Sequence, residues 1–532
     1  MAALSDPSIG AAEVNRRIGR SSAALMAAHA STYAGRFIKV IIIAAFFGTG
    51  VELESYQAAI NLPLVINGCL FGALVTAVVP LIVEIRTRRG EREAACLWTR
   101  FGLGMMALVV AICLALGIAA HSVSDWITDP ARHDAALAAH LLQLLLGYLA
   151  LYFLVQYLTM IFHGHHQFAL PMLTALPNLA VNIVVIIVWL RFIRVEVASL
   201  VWGLYAGALV QLVILLVAGW RLGILRPAWG PTPEIGRATH NSLVLLLGSL
   251  VSPATLVTVD IIMAAPVHRG IATINYAYAI FMFPVTVGVL NLGYVLLPYL
   301  AGQVTERDWA GLARTTSLSM RMLFYVTVPI AVGLWLVSED VVRVVLERGE
   351  FMPSDTVMVA ATLRAYMLGL LFAGLLVVVT KIYNAMQRVW VLFNISALAF
   401  AVKIAANALL RGPLGAPGIA LATGLFYLLS FVLLALWLRR SVPLARDAAR
   451  DRTVALTLIG GALMFAAVTW TRAAMMRAGW SLTAILLAEM ALGAAVWIGW
   501  SLAARMPELG MIWRIVVRRG SASVSTVGTT DL

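Results

Sequence analysis

Fourteen apolar runs recur between residue 25 and residue 504, and each is long enough to cross a hydrocarbon core. Crossing takes about 20 residues of helix. In lipid every backbone N–H and C=O must pair within its own segment, so a run of this length has to be helical. Strand-length alternating segments, the mark of a membrane barrel, are absent from the sequence. The expected fold is all-α and polytopic, with spans near 25–48, 57–85, 99–121, 135–162, 168–190, 197–220, 239–265, 271–300, 318–338, 355–385, 389–410, 415–438, 453–471 and 480–504. Composition agrees: 62% of the 532 residues are hydrophobic and only 12% charged, which excludes a soluble chain.

The net charge of +13 is placed to orient the chain rather than to bind nucleic acid. Of 38 Lys and Arg, 23 fall in segments 16–20, 86–100, 221–237, 307–314, 388, 439–452 and 505–519, all on one side of the spans. Nine lie on the other side: Arg132, Arg191, Arg194, Arg269, Arg343, Arg348, Arg411, Arg472 and Arg477. The positive-inside rule makes the richer side cytoplasmic, and an even number of spans puts both termini there. Residues 1–24 carry no cleavable signal pattern, so the first span is itself the expected insertion signal. The tail over 505–532 is expected to be cytoplasmic and disordered in its Ser/Thr/Gly-rich end. Cys69, Cys96 and Cys113 are too few and too near apolar segments to suggest a disulfide framework or a zinc site.

An internal repeat appears at one offset of 221 residues. Thr159–Gly164 pairs with Thr380–Ala385, Ala180–Ile183 with Ala401–Ile404, and Gly203–Tyr205 with Gly424–Phe426. An even number of helices separates the copies, so they are parallel repeats about an axis along the membrane normal. That arrangement places substrate between two lobes. The expected organisation is an N-lobe of helices 1–6 (25–225), a C-lobe of helices 7–12 (239–440) and an appended pair (453–504).

Six cations fall within or at the edges of spans: Arg36, Lys39, Arg321, Arg364, Lys381 and Lys403. A cation at bilayer depth costs roughly 2.5–3.5 kcal/mol on insertion scales unless it faces a polar cavity. Arg36 and Lys39, three residues apart, share one helix face. Two cations on one face are hard to snorkel together, so this pair ranks first as a charged, water-accessible surface for an anionic substrate. Lys403 is deep in its span, Lys381 lies about a turn from a span end, and Arg321 and Arg364 are placed to snorkel. Asp260 is the clearest intramembrane carboxylate, suited to pair with a cation of the facing lobe or to hold a proton or sodium ion. Glu52 and Glu54 fall in the short loop after the first span, either solvated or functional.

Prolines punctuate equivalent helices: Pro63 and Pro80 in helix 2, Pro284 and Pro298 in helix 8. Each removes a backbone hydrogen bond and allows a bend. His163, His165 and His166 cluster in a turn without the further ligand a metal needs. No phosphate-binding glycine loop or nucleotide-binding domain is present, so ATP is not the expected direct energy source, and no cofactor or hydrolytic constellation is indicated.

Five segments are distinctive: Phe47-Gly48-Thr49-Gly50, Asn61-Leu62-Pro63 through Val79-Pro80, Phe283-Pro284 through Pro298, Leu346-Glu347-Arg348-Gly349-Glu350-Phe351 with Asp355-Thr356, and Gly415 to Thr423. They resemble the MurJ/MviN family of lipid II flippases, in the larger superfamily of polysaccharide-unit flippases and multidrug exporters. The resemblance runs from about residue 30 to about 440 and implies fourteen helices, two lobes and a central cationic cavity. It further implies a bacterial inner-membrane protein that carries an undecaprenyl-pyrophosphate-linked saccharide between leaflets by alternating access. Lys39 stands where the family has an arginine in helix 1, and Glu54 stands near its aspartate at the start of helix 2. Where the family has paired arginines after Leu-Pro-Asn, this chain reads Leu62 to Gly68, with Asn67 in that stretch. Tyr278-Ala279 replaces an Asp-Arg pair of helix 8.

The reading that follows is a flippase, not an enzyme, for a polyprenyl-pyrophosphate-linked saccharide, either lipid II-like or a surface-glycan repeat unit. Arg36, Lys39, Lys403 and Lys381 are expected to attract the pyrophosphate, while Asn67 and Tyr278 line the sugar space. Asp260, Glu54, Pro63 and Pro284 are expected in gating or ion coupling. The partners are the bilayer, the lipid-linked oligosaccharide and glycan-assembly membrane proteins. Two other readings are a cation-coupled exporter of small amphipathic molecules and a transport-inactive scaffold for glycan assembly.

Overall fold

The computed structural model of the chain describes residues 31–129, 133–232, 234–249, 253–286, 300, 302–440 and 448–511. Among these residues there is no strand. In chain order the helices are α1 (31–47), α2 (Val51–Arg89), α3 (Glu91–Ile118), the short α4 (Ala120–Ile127), α5 (Ala135–Gly164), α6 (Ala169–Phe192), α7 (Ala198–Arg221) and α8 (Ile235–Ser249). They continue with α9 (Pro253–Ala264), α10 (Gly270–Pro284), α11 (Trp309–Leu346), α12 (Pro353–Ala385), α13 (Val389–Leu414), α14 (Ala416–Leu438), α15 (Ala448–Arg477) and α16 (Leu482–Ala503). Eleven are long and apolar enough to cross a membrane. The three remaining predicted spans contain α1, the pair α8 and α9, and α10. The protein is thus all-α and polytopic. The segment 1–24, the end of the tail, Arg132, Pro298 and residues 441–447 of the basic loop lie outside the described residues.

Helix ends follow local chemistry. Asp134 caps α5 by accepting from the Leu137 N–H at 2.8 Å. α2 opens with Glu52 and Glu54 and closes with Arg86, Arg88 and Arg89, charges that complement the helix dipole at both ends. Several helices outrun the predicted spans for the same reason. Arg191, Arg343 and Arg411, expected in loops, occupy last helical turns, and Arg472 lies within α15. Hydrophobicity marks the hydrocarbon edge, whereas a helix continues into the headgroup region until a cap stops it. α2 likewise begins early, so Glu54 sits in its first turn and is 3% exposed; the solvated-loop option is thereby excluded for Glu54, while Glu52 is exposed.

The offset repeat is written in the helix bounds. Shifting α5, α6 and α7 by 221 residues reproduces the start of α12, α13 and α14 to within three residues.

Contacts divide the chain into two compact units. The first takes the described residues of Met1–Ala279 with Leu346–Asp355 and Ile404–Ile419. There α2 is the spine, packed on α3, α5, α8 and α9, while α5 also packs on α3 and α7, and α6 on α7. Gly207 makes the α6–α7 approach possible: a Cβ there would meet the Asn178 carbonyl oxygen at 2.6 Å. The second unit takes Ile280–Val345, Thr356–Lys403 and the described residues of Ala420–Leu532. Its core centres on Leu323, Val379, Ile382, Tyr383, Leu434 and Leu438, with the Tyr383 hydroxyl donating to the Leu434 carbonyl at 2.9 Å. In the same unit, Tyr325 of α11 donates to Ser501 of α16 at 2.8 Å and packs on Trp497. Arg472 of α15 bonds Asp340 of α11 and Glu489 of α16, and Arg321 holds the Glu508 carboxylate at 2.6 Å.

Candidate functional site

Two groups of polar side chains in the first unit stand out. One is on α1. Arg36 is exposed, Lys39 is half-buried one turn further on, and the Arg36 guanidinium lies 5.5 Å from the Tyr33 ring centre. α1 is held in place by close packing at Gly35, whose missing side chain makes room for Leu179 of α6. On α5, Tyr148 and Tyr152 stack with ring centres 5.4 Å apart, within electrostatic reach of Arg36. Asn67 of α2 is buried, and neither end of its amide has a hydrogen-bond partner.

The second group is a latch at the end of the unit that carries the α1–α2 junction. Gly48 and Gly349 both adopt left-handed backbone, at φ 54 and φ 57. A Cβ on Gly48 would strike the Glu350 carbonyl, and one on Gly349 would strike the Ala45 carbonyl. Only glycine allows both the turn and the approach. The Glu350 N–H then donates to the Ala45 carbonyl at 3.1 Å. Asp355, 1% exposed, accepts from Thr49 Oγ1 at 2.8 Å, from Arg269 at 2.6 Å and from the Met352 N–H at 3.0 Å. Tyr276 donates to the Gly48 carbonyl at 2.6 Å and meets Phe351 edge-on. Beside it Glu54 accepts from the Ala272 N–H at 3.1 Å and lies 3.2 Å from Nε2 of His133. Burial lowers the His133 pKa, but the adjacent Glu54 carboxylate and the contacts with Asp129 outweigh it, so the net shift is upward.

The other candidates are placed as follows. Asp260 of α9 is buried and accepts from Asn407 of α13 at 2.9 Å. Lys403, fully buried, precedes Asn407 by one turn on that helix. Lys381 is half-buried on α12 and Tyr278 half-buried on α10. Pro63 sits inside an unbroken α2, whereas two residues after Pro284 turn more widely than an α-helix. Arg321 pairs with Glu508, and Arg364 lies 3.5 Å from Glu339 and near the Trp335 ring. The structure therefore brings Arg36 and Lys39 together on one helix, and Glu54 into the latch. Sequence reasoning missed His133, Arg269, Tyr276 and the stacked tyrosines.

Residues 43–489 match the family described as Lipid II flippase MurJ. The chain belongs to the MurJ family. Probable lipid II flippases MurJ from Rhizobium tropici and Rhizobium meliloti are each 27% identical to it. The first aligns over 80% of this chain and 82% of its own length, the second over 92% and 94%. A solved lipid II flippase MurJ in an inward closed conformation superposes with TM-score 0.76 at 17% identity, covering 90% of this chain and 98% of that one. An inward-facing multidrug resistance MATE transporter of the MOP superfamily gives 0.63 at 16% identity, covering 79% and 98%. The MurJ fold is thus shared. Within the MurJ resemblance the latch lies on the Glu-Arg-Gly-Glu-Phe element, which the sequence singled out without its partners.

Proposed function

We propose that this MurJ family member moves a polyprenyl-pyrophosphate-linked saccharide from the inner to the outer leaflet of the bacterial inner membrane by alternating access. The observation that carries the reading is the Arg36–Lys39 face in the first span of a chain that matches a flippase family over most of its length. Two cations there attract the pyrophosphate, with Lys403 and Lys381 serving from the C-lobe. Asn67, whose buried amide is unmatched, and Tyr278 line the saccharide space. An unmatched buried polar group costs about 1–3 kcal/mol, which a polar ligand offsets.

On this reading helices 1–6 and 7–12 rock as two lobes, bending at Pro63 and Pro284, and both termini face the cytoplasm. The latch then closes the outer side, with Glu54 as a gating residue and Asp260 as an ion-coupling or interlobe group. Substrate drives the cycle only through differential affinity for the two states. The membrane potential biases it by about 2.3 kcal/mol per charge per 100 mV. The exporter and scaffold readings draw less support, because the matched family and its curated relatives are described as flippases.

The test is reconstitution with fluorescent lipid-linked saccharides, comparing lipid II with a surface-glycan repeat unit. Leaflet exchange of at least one is expected. A folded preparation that moves neither overturns the proposal.

A further inference from the structure

In the stacked pair on α5 Tyr148 is buried and Tyr152 half-buried, and among the described residues their hydroxyls are not tied to the backbone as those of neighbouring tyrosines are. Tyr157 of the same helix donates to the Trp98 carbonyl at 2.5 Å, and Tyr205 of α7 donates to the Leu144 carbonyl at 2.7 Å. Those two phenols are committed to packing. The hydroxyls of Tyr148 and Tyr152 carry no such bond among the described residues. Their planes are 13° from parallel, and Tyr205 meets Tyr148 from the side. Tyr56 of α2 lies within electrostatic reach of Tyr148, as Arg36 does of both stacked rings.

The repeat supplies an internal control. At the same offset of 221 residues the second copy has Gly369 and Ala373 in place of Tyr148 and Tyr152. There the scaffold packs backbone to backbone, since a Cβ on Gly369 would meet Gly424 Cα at 2.7 Å. The helix pairing of the repeat therefore does not demand tyrosines at these positions. They occur in the copy that also carries Arg36 and Lys39.

Asn67 is an independent pointer. It follows Tyr56 by about three turns on the same face of α2. It is 3% exposed with both amide ends unmatched. Tyrosine presents a flat apolar ring with a polar tip. A pyranose is complementary: one face offers C–H groups to a ring, and its rim offers hydroxyls to phenols and amides.

We infer that Tyr148 and Tyr152, with Tyr56 and Asn67, form the platform that receives the first sugar of the lipid-linked substrate. The inference rests on the proposed function, because the sugar is brought there by the pyrophosphate that Arg36 and Lys39 hold. The sugar esterified to that pyrophosphate is the part of the substrate that follows it toward rings within electrostatic reach of Arg36. The platform reads the saccharide, and the cations read the carrier.

The experiment measures binding of two probes to the full chain in nanodiscs: undecaprenyl pyrophosphate, and the same lipid bearing its saccharide. The wild type is expected to bind the saccharide-bearing lipid about tenfold more tightly, the usual scale for a buried aromatic contact. Tyr152→Ala removes most of that preference and leaves affinity for the sugarless lipid unchanged. Tyr152→Phe, which keeps the ring and its packing, retains part of the preference, and Asn67→Leu reduces it from the other helix. If Tyr152→Ala does not fold, Tyr152→Phe and Asn67→Leu carry the test. A preference unaltered in every folded variant overturns the inference, as does a wild type that binds both lipids equally. A wild type that binds neither lipid instead overturns the flippase reading.

Discussion

Among single residues, His133 shows most clearly what sequence could not convey. It sits in the segment between α4 and α5 with nothing nearby to mark it, and its partner Glu54 belongs to another helix. Pairing over such a separation leaves no periodicity to read. Glu54 itself was legible only as a residue near a family acid. The pair makes a pH prediction. The groups facing His133 are Glu54 from α2 and Asp129 from its own segment, and they raise its pKa above 6.5 against burial. A raised histidine pKa means the latch is fully stabilised below pH 6.5 and loses that stabilisation as pH rises through the raised value. The melting temperature of the purified protein should therefore fall as pH rises above 6.5 through the raised value, and His133→Gln should flatten the fall. Identical profiles for wild type and variant would refute the linkage.

Helices were the most legible elements, because length and hydrophobicity suffice to identify a span. Their ends were less so, since charged last turns extend past the hydrocarbon edge. Arg472 illustrates this: hydropathy places it in a loop, but it lies in α15 against Asp340 and Glu489. Both carboxylates are essentially buried, and Arg472 is 27% exposed. This triad, with Arg321–Glu508 and the Tyr325–Trp497 contact, fixes the α15–α16 pair on α11. Removing one member of a buried ion cluster leaves charges unpaired and costs about 3–5 kcal/mol, whereas replacing all members with apolar groups is often neutral. Arg472→Leu alone should lower thermal stability markedly. Replacing Asp340 and Glu489 by leucine as well should restore most of it. A single variant as stable as the wild type would show that the triad does not hold the pair.

For the whole molecule, fold class and repeat were readable from hydropathy and one offset, because each repeat needs the same helices to bury the same faces. The cation face on α1 was readable because charge inside an apolar run is conspicuous. The latch was not, although its glycines and the Glu-Arg-Gly-Glu-Phe element were visible. Thr49 and Asp355 are 306 residues apart, and only the folded chain joins them. Tyr148 and Tyr152 were hidden for another reason: aromatic residues one turn apart on an apolar helix look like ordinary core. On the proposed function Arg36 and Lys39 hold the pyrophosphate during transport. Leaflet exchange of a lipid-linked saccharide should be measured in proteoliposomes for the wild type and for Arg36→Gln with Lys39→Gln. Losing two charge-assisted contacts, each about 1.5–3 kcal/mol, should slow exchange at least about tenfold with folding intact. Exchange at the wild-type rate in a correctly inserted double variant would refute that role for Arg36 and Lys39.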